Sequence, residues 1–273
     1  MAENAVEKHE NPNGSTATGH DGSVRHHDLS GPPEGFLIHP SQIRPYEHRK
    51  LANPAPLGLS AFALTTFVLS AINMHARDVV APNVVIPLAF GYGGFVQLLA
   101  GMWEMAVGNT FGATALSSYG GFWIAYGLLF HPNFNVFNSQ RVAGEELVLA
   151  YTAAERYSAV GFFLTGWFIF TTLLLLCTLR STVMFFLLFF TLDLAFLFLA
   201  CENYAGSLGN DAARVALQKT GGAFGILAAF LAWYNALAGI QDNSNSFFQV
   251  PVFPLPWSDK AIADRAAKAS HSV

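Results

Sequence analysis

A carboxylate, an amide and three glycines share one face of a single apolar stretch. Gly94, Gln97, Gly101, Glu104 and Gly108 recur at steps of 3, 4, 3 and 4, which on a helix forms one stripe, while Phe95, Leu98, Leu99, Met102 and Trp103 fill the other faces. Glycines in a stripe let a neighbouring helix approach closely, the usual source of packing in lipid. Gln97 and Glu104 add groups that hydrocarbon disfavours by several kcal/mol unless they face protein or water. They are therefore candidates for a solute path or a hydrogen-bond network, and Glu104, near a helix end, also fits an interfacial structural role. Asp193 is the single acid in the middle of another apolar run, as a proton relay or an interhelical contact. Tyr119 falls in mid-run before Gly120-Gly121, too deep for an interfacial belt residue. Asn53-Pro54 reads as a helix cap followed by proline at the first helical position, and the bare N–H groups of such an end suit an anion. On that helix Phe62, Thr65, Thr66 and Leu69 give one face mixed aromatic and hydroxyl character. These residue types bind and pass a solute; they do not make or break bonds. Aspartyl proteolysis needs two acids sharing a proton, and only Asp193 is deep. Neither a Ser/His pair nor a His-rich metal cluster occurs in the apolar runs, so no catalytic residue, metal ligand or cofactor is assigned.

The elements that position these groups follow from composition. Of 273 residues 52% are apolar and 12% charged, with 25 Phe, against about 25% charged in an ordinary soluble domain. The net charge of −4 carries no basic block and argues against nucleic acid. Cys177 and Cys201 sit inside apolar runs, which indicates neither disulfide nor metal. A bilayer core about 30 Å thick requires roughly 20 helical residues. Six segments fit: 57–73, 84–107, 109–130, 159–179, 182–203 and 220–240. The fold class is therefore an all-α membrane protein of six transmembrane helices around a central solute path. Gly108-Asn109 separates the second and third spans and Leu179-Arg180-Ser181 the fourth and fifth. The longest connection, 131–157, is expected to carry a short interfacial helix in its second half. Residues 1–50 are polar and aperiodic and are expected as a disordered cytosolic tail, 51–241 as the transport domain, and 242–273 as a polar C-terminal tail. Six spans put both termini on one side; Arg44, Arg49 and Lys50 place that side in the cytosol, with the protein multi-pass in the plasma membrane.

Asn53-Pro54-Ala55-Pro56-Leu57-Gly58-Leu59 resembles the signature that opens the acetate uptake transporter family (GPR1/FUN34/YaaH). The likeness continues through Gly91-Tyr92-Gly93-Gly94, Gln97, Ala100-Gly101, Glu104, Gly108-Asn109-Thr110-Phe111-Gly112 and Ser118-Tyr119-Gly120-Gly121-Phe122-Trp123. It is close over the first three spans and rests on hydropathy and length over the last three. The resemblance implies a homohexamer with one solute path per protomer and an apolar constriction of a Phe, a Tyr and a Leu, which fall on Phe62, Tyr119 and Leu192. The motif blocks and the face analysis together give the candidate substrate-binding set Asn53, Pro54, Ala55, Pro56, Leu57, Gly58, Thr65, Thr66, Tyr92, Gln97, Glu104, Asn109 and Thr110. The expected cargo is acetate, with other short monocarboxylates or succinate beside it.

An apolar ring opposes a bare carboxylate, so passage with a proton is expected. A channel-like anion pore and an ammonium exporter are the alternatives. Asn53-Pro54-Ala55 is also the half-helix tripeptide of aquaporins, but that fold needs two, and Asn11-Pro12-Asn13 and His131-Pro132-Asn133 are poor imitations. A non-transporting sensor with a regulatory tail is the reading from outside transport. The expected partners are the carboxylate, protons, the lipid bilayer and further copies of the chain.

Overall fold

In lipid only a helix or a closed barrel satisfies its own backbone, so each long apolar run becomes a helix and the polar breakers become turns. The computed structural model describes residues 51–138, 140–143 and 146–271, with backbone alone at 141–143, 146–148, 260 and 271. The expected tail of residues 1–50, with Arg44, Arg49 and Lys50, lies outside the described residues.

Helix α1 spans Ala55–Asn73. Its cap position is Pro54, one residue later than expected, yet the Asn53 side chain still accepts from the Ala55 N–H at 3.1 Å. A turn with left-handed backbone at His75, Arg77 and Asp78 leads to α2, Val85–Phe90, then a π-helical segment, Gly91–Val96, and α3, Gln97–Ala106. The π segment was not anticipated. It coincides with the Gly91-Tyr92-Gly93-Gly94 run, where missing side chains relax the i→i−4 ladder. Gly108, at φ +84°, reverses the chain into α4, Thr110–Phe130, and only a residue without Cβ adopts that angle cheaply. The long loop carries an antiparallel hairpin, β1 Gln140–Ala143 with β2 Glu146–Leu149.

Helix α5 runs Ala153–Cys177 and so begins earlier than expected. The anticipated short interfacial helix is its first turn, held by a reciprocal cap: Glu155 N–H donates to Thr152 Oγ1 at 3.2 Å, and Thr152 N–H donates to Glu155 Oε2 at 2.8 Å. Helix α6 covers Val183–Ser207 and α7 Asp211–Ile240, the latter lengthened by the Asn210 cap on Ala213 N–H at 3.1 Å. The C-terminal segment, expected as a free polar tail, is docked over the α5–α6 turn. Val183 N–H donates to Phe253 O at 2.7 Å and Leu255 N–H to Ser181 O at 3.0 Å, and the Trp257 indole donates to Leu179 O. Helix α8, Asp259–His271, follows, with Asp259 paired to Arg180.

Helix α7 packs on α1 and α6, α6 on α5, and α3 on α4. Among the described residues five segments are long and apolar enough to cross a membrane: α1, Pro82–Ala106, α5, α6 and α7. Helix α4, with 21 residues, is long enough but carries Gly, Ser and Tyr on faces packed inside the bundle. Phe95, Trp103, Met105, Phe162, Leu173 and Phe230 are exposed, the outward apolar surface that lipid or another copy must cover.

Candidate solute path

The stripe on the second span faces inward as expected: Gly94, Gln97, Gly101 and Glu104 are buried, while Phe95, Leu99, Met102 and Trp103 are exposed. Gly108 departs from it because it ends the helix. Gly101 meets α4 so closely that a Cβ there would lie 2.4 Å from the Ser117 backbone N.

Among the described residues, cavities of about 410 Å³ and about 70 Å³ lie inside the bundle. Phe62 and Leu192 line both, so their side chains form the partition between them. Tyr119 lines the smaller cavity, its ring centroid 5.9 Å from that of Phe62. All three are at least 95% buried. The structure thus brings together the three residues expected at the constriction. Around Tyr119 pack Trp167, Phe170, Phe189 and Phe196, with centroids 5.9–6.5 Å away, and its hydroxyl is 2.9 Å from that of Thr171.

The smaller cavity lies toward the start of α1 and the α3–α4 turn. Ala55, Gln97 and Asn109 line it. Gln97 is fully buried, and neither of its amide atoms has a hydrogen-bond partner among the described residues. Asn109 caps α4 through Gly112 N–H at 3.0 Å and donates to Glu104 Oε2 at 2.6 Å. Substituting Asn109→Asp keeps the cap but sets a second carboxylate against Glu104. A fall in the melting temperature of the detergent-solubilised protein at neutral pH is expected, reversed in Asn109→Asp/Glu104→Gln.

The larger cavity lies toward the other end. Thr66 and Trp123 line it with polar atoms, Oγ1 and Nε1, that have no hydrogen-bond partner among the described residues. Ser70 and Asn73 of α1, Arg156 of α5, and Glu202 and Asn203 of α6 add polar groups nearer its mouth. The sequence alone assigned none of these a role in the path. Glu202 sits 3.7 Å from Arg214, and its Oε2 accepts from Asn203 at 2.7 Å. Charges near helix ends look interfacial until the neighbouring helix is known.

Several candidates take other places. Leu57 is 50% exposed and turned away from both cavities. Tyr92 is half-buried on the π segment and Thr110 is exposed; neither lines a cavity. Asn53 is exposed and Pro54 half-buried at the start of α1, outside both cavities. Pro56 is buried near Gly239 of α7, and Gly58 lies against Leu116. Thr65 donates to Ala61 O at 2.9 Å and packs on Gly93, so its role is helix contact. Glu104 lies outside both cavities, its Oε1 unpartnered. Asp193, off both cavities as well, accepts from the Thr172 hydroxyl at 2.9 Å. Among the described residues no group of three His, Cys, Asp or Glu could hold a metal ion.

Apolar side chains thus separate two cavities that carry polar groups at their edges. The chain is 58% identical over 247 residues to acetate permease A of Emericella nidulans, covering 89% of this chain and 79% of that protein. It is 33% identical over 205 residues to the succinate-acetate/proton symporter SatP of Escherichia coli, covering 74% and 96%. The solved structure of the bacterial acetate channel SatP superposes with a TM-score of 0.57 at 29% identity, covering 74% of this chain and 99% of that one. Residues 36–257 match the family model described as the GPR1/FUN34/yaaH family. This multi-pass membrane protein belongs to the GPR1/FUN34/yaaH family.

Proposed function

We propose that this chain carries acetate, with other short monocarboxylates or succinate as lesser substrates, across the plasma membrane, the solute passing between the two cavities at Phe62, Tyr119 and Leu192. The carrying observation is the shared lining: Phe62 and Leu192 are the only part of the path that both cavities touch among the described residues. Six spans enter this reading, with α4 as the third because its apolar and aromatic side chains pack at the centre of the bundle. Residues 51–241 are then the transport domain, 1–50 a cytosolic tail and 242–273 a C-terminal segment folded back on it. With both termini in the cytosol, the smaller cavity faces the cytosol and the larger one the exterior. The outward apolar faces suit assembly as a homohexamer.

Transfer of an unpaired carboxylate past phenyl and leucyl groups is costly, whereas the neutral acid, or the anion moving with a proton, loses far less solvation. Buried, unpartnered atoms of Gln97, Thr66 and Trp123 beside the partition can replace part of the lost water. Proton-coupled movement follows from this physics. Asp193, off both cavities, serves a relay only if the bundle opens around it.

The test is labelled acetate entering proteoliposomes made with the purified full-length chain. Uptake should exceed that of protein-free vesicles several-fold and rise when an inward proton gradient is imposed. Acetate entry at the bare-lipid rate overturns the proposal. Uptake of an ammonium analogue in place of acetate would favour the ammonium exporter, and acetate flux indifferent to the gradient a channel-like pore.

A further inference from the structure

Helix α5 contributes neither Phe62, Tyr119 nor Leu192, yet two adjacent residues on it reach the helices that carry the last two. Thr171 is fully buried and its hydroxyl is 2.9 Å from the Tyr119 hydroxyl of α4. The Thr172 hydroxyl lies 2.9 Å from Asp193 Oδ1 of α6 and 3.0 Å from Phe168 O, its one proton shared between the two acceptors, and Asp193 directly follows Leu192. Consecutive residues on an α-helix diverge by about 100°, so one pair of hydroxyls can grip two different neighbours. Leu173, about 160° around the helix from Thr171, is exposed. Threonines in apolar helices ordinarily return their hydroxyl to the carbonyl four residues back, as Thr165 does to Gly161 O at 2.8 Å. Thr171 has no such bond among the hydrogen bonds of the described residues, so its hydroxyl is left for Tyr119.

We propose that Thr171 and Thr172 form a brace that fixes the width of the partition: Thr171 holds the Tyr119 ring in place, and Thr172, through Asp193, holds the turn of α6 that presents Leu192. Both are positioning residues and neither touches the solute. This assigns Asp193 a mechanical role. The inference rests on the reading of Phe62, Tyr119 and Leu192 as the constriction.

The physical basis is that an aromatic ring with a free hydroxyl, deep in an apolar bundle, either finds another partner or tilts into the cavity it lines. Removing one grip exchanges a single packing for several. The partition then passes solutes that the fixed arrangement excludes, while acetate, already small enough, gains little. Discrimination by size is the property that changes.

The experiment compares uptake of labelled lactate and labelled acetate into proteoliposomes of the full chain. Thr171→Val replaces the hydroxyl with a methyl of similar volume. It should raise the lactate-to-acetate ratio roughly fivefold, the factor that one net hydrogen bond corresponds to. Thr171→Ser keeps the hydroxyl and should keep the original ratio. Tyr119→Phe removes the same bond from the other side, so the double variant Thr171→Val/Tyr119→Phe should shift the ratio no further than either single change. Thr172→Val and Asp193→Leu, which removes the acceptor, should shift it in the same direction. Leu192→Ala is the reference. If it widens selectivity while Thr171→Val and Thr172→Val leave the ratio at the original value, the brace is overturned and the constriction stands. If Leu192→Ala also leaves the ratio unchanged, the constriction reading falls and the brace with it. Should Thr171→Val fold poorly, Tyr119→Phe and Thr172→Val carry the same measurement. Lower protein yield at an unaltered ratio counts against the brace.

Discussion

Leu192→Ala is expected to raise lactate uptake relative to acetate by roughly 10- to 100-fold. The side chain is 95% buried and contributes to the partition from α6, with a cavity on either side of it. A single methylene in an apolar site is worth about 1–3 kcal/mol of discrimination, and Ala removes more than one. Leu192→Val, which removes one methylene, should move the ratio in the same direction by less than Leu192→Ala does, about 1 kcal/mol or somewhat more. A buried Leu→Ala change commonly costs about 2–5 kcal/mol of stability. Here the side chain already borders open space, so the new void is shared with existing cavities and the cost should fall near the lower end. Competition uptake in proteoliposomes gives both numbers. An unchanged ratio in protein that still moves acetate would remove Leu192 from the selecting position.

The second large effect concerns assembly of the bundle. Gly101→Val should abolish recovery of folded protein from detergent. A Cβ at this position would sit 2.3 Å from Ser117 Oγ, 2.4 Å from its backbone N and 2.9 Å from its Cα. Backbone cannot step aside as a side-chain tip can, so α3 and α4 must separate, and overpacking of this kind costs about 3 kcal/mol or more. Gly121 gives the contrast within α4, for a Cβ there meets nothing within 4 Å. Gly121→Ala should leave the melting temperature level or raise it, since Ala is favoured over Gly inside a helix by about 0.5–1 kcal/mol. Size-exclusion profiles and thermal melts of the two variants side by side test the pair. Equal behaviour would mean that the α3–α4 approach is looser than the structure has it.

Much of the path was legible before any coordinates. The long apolar runs and their breakers, Gly108-Asn109 and Leu179-Arg180-Ser181, give the helices, because lipid leaves the backbone no alternative. The inward stripe of Gly94, Gln97, Gly101 and Glu104 follows from spacing alone. What escaped was cross-helix geometry. Leu57 and Thr110 sit in motif blocks, yet a motif records which residues recur together and not which way each side chain turns. Thr171 and Thr172 look like two more hydroxyls in an apolar run, and their partners lie 52 and 21 residues away. The early start of α5 was readable in principle: Thr152 and Glu155 form a capping box, which joins the helix expected in the second half of 131–157 to the span itself. The π segment at 91–96 carries only the weak signal of clustered glycines.

The unequal chambers, about 410 Å³ on one side and about 70 Å³ on the other, bear on direction of flow. A roomy antechamber raises the chance of capture from its side, and a snug one lengthens residence on the other. Neither can rectify passive traffic, since every step is reversible and a lopsided shape changes the two one-way rates by the same factor at equal concentrations. Net accumulation must therefore be drawn from an ion gradient, so collapsing that gradient should leave exchange of labelled for unlabelled acid intact while ending uphill uptake.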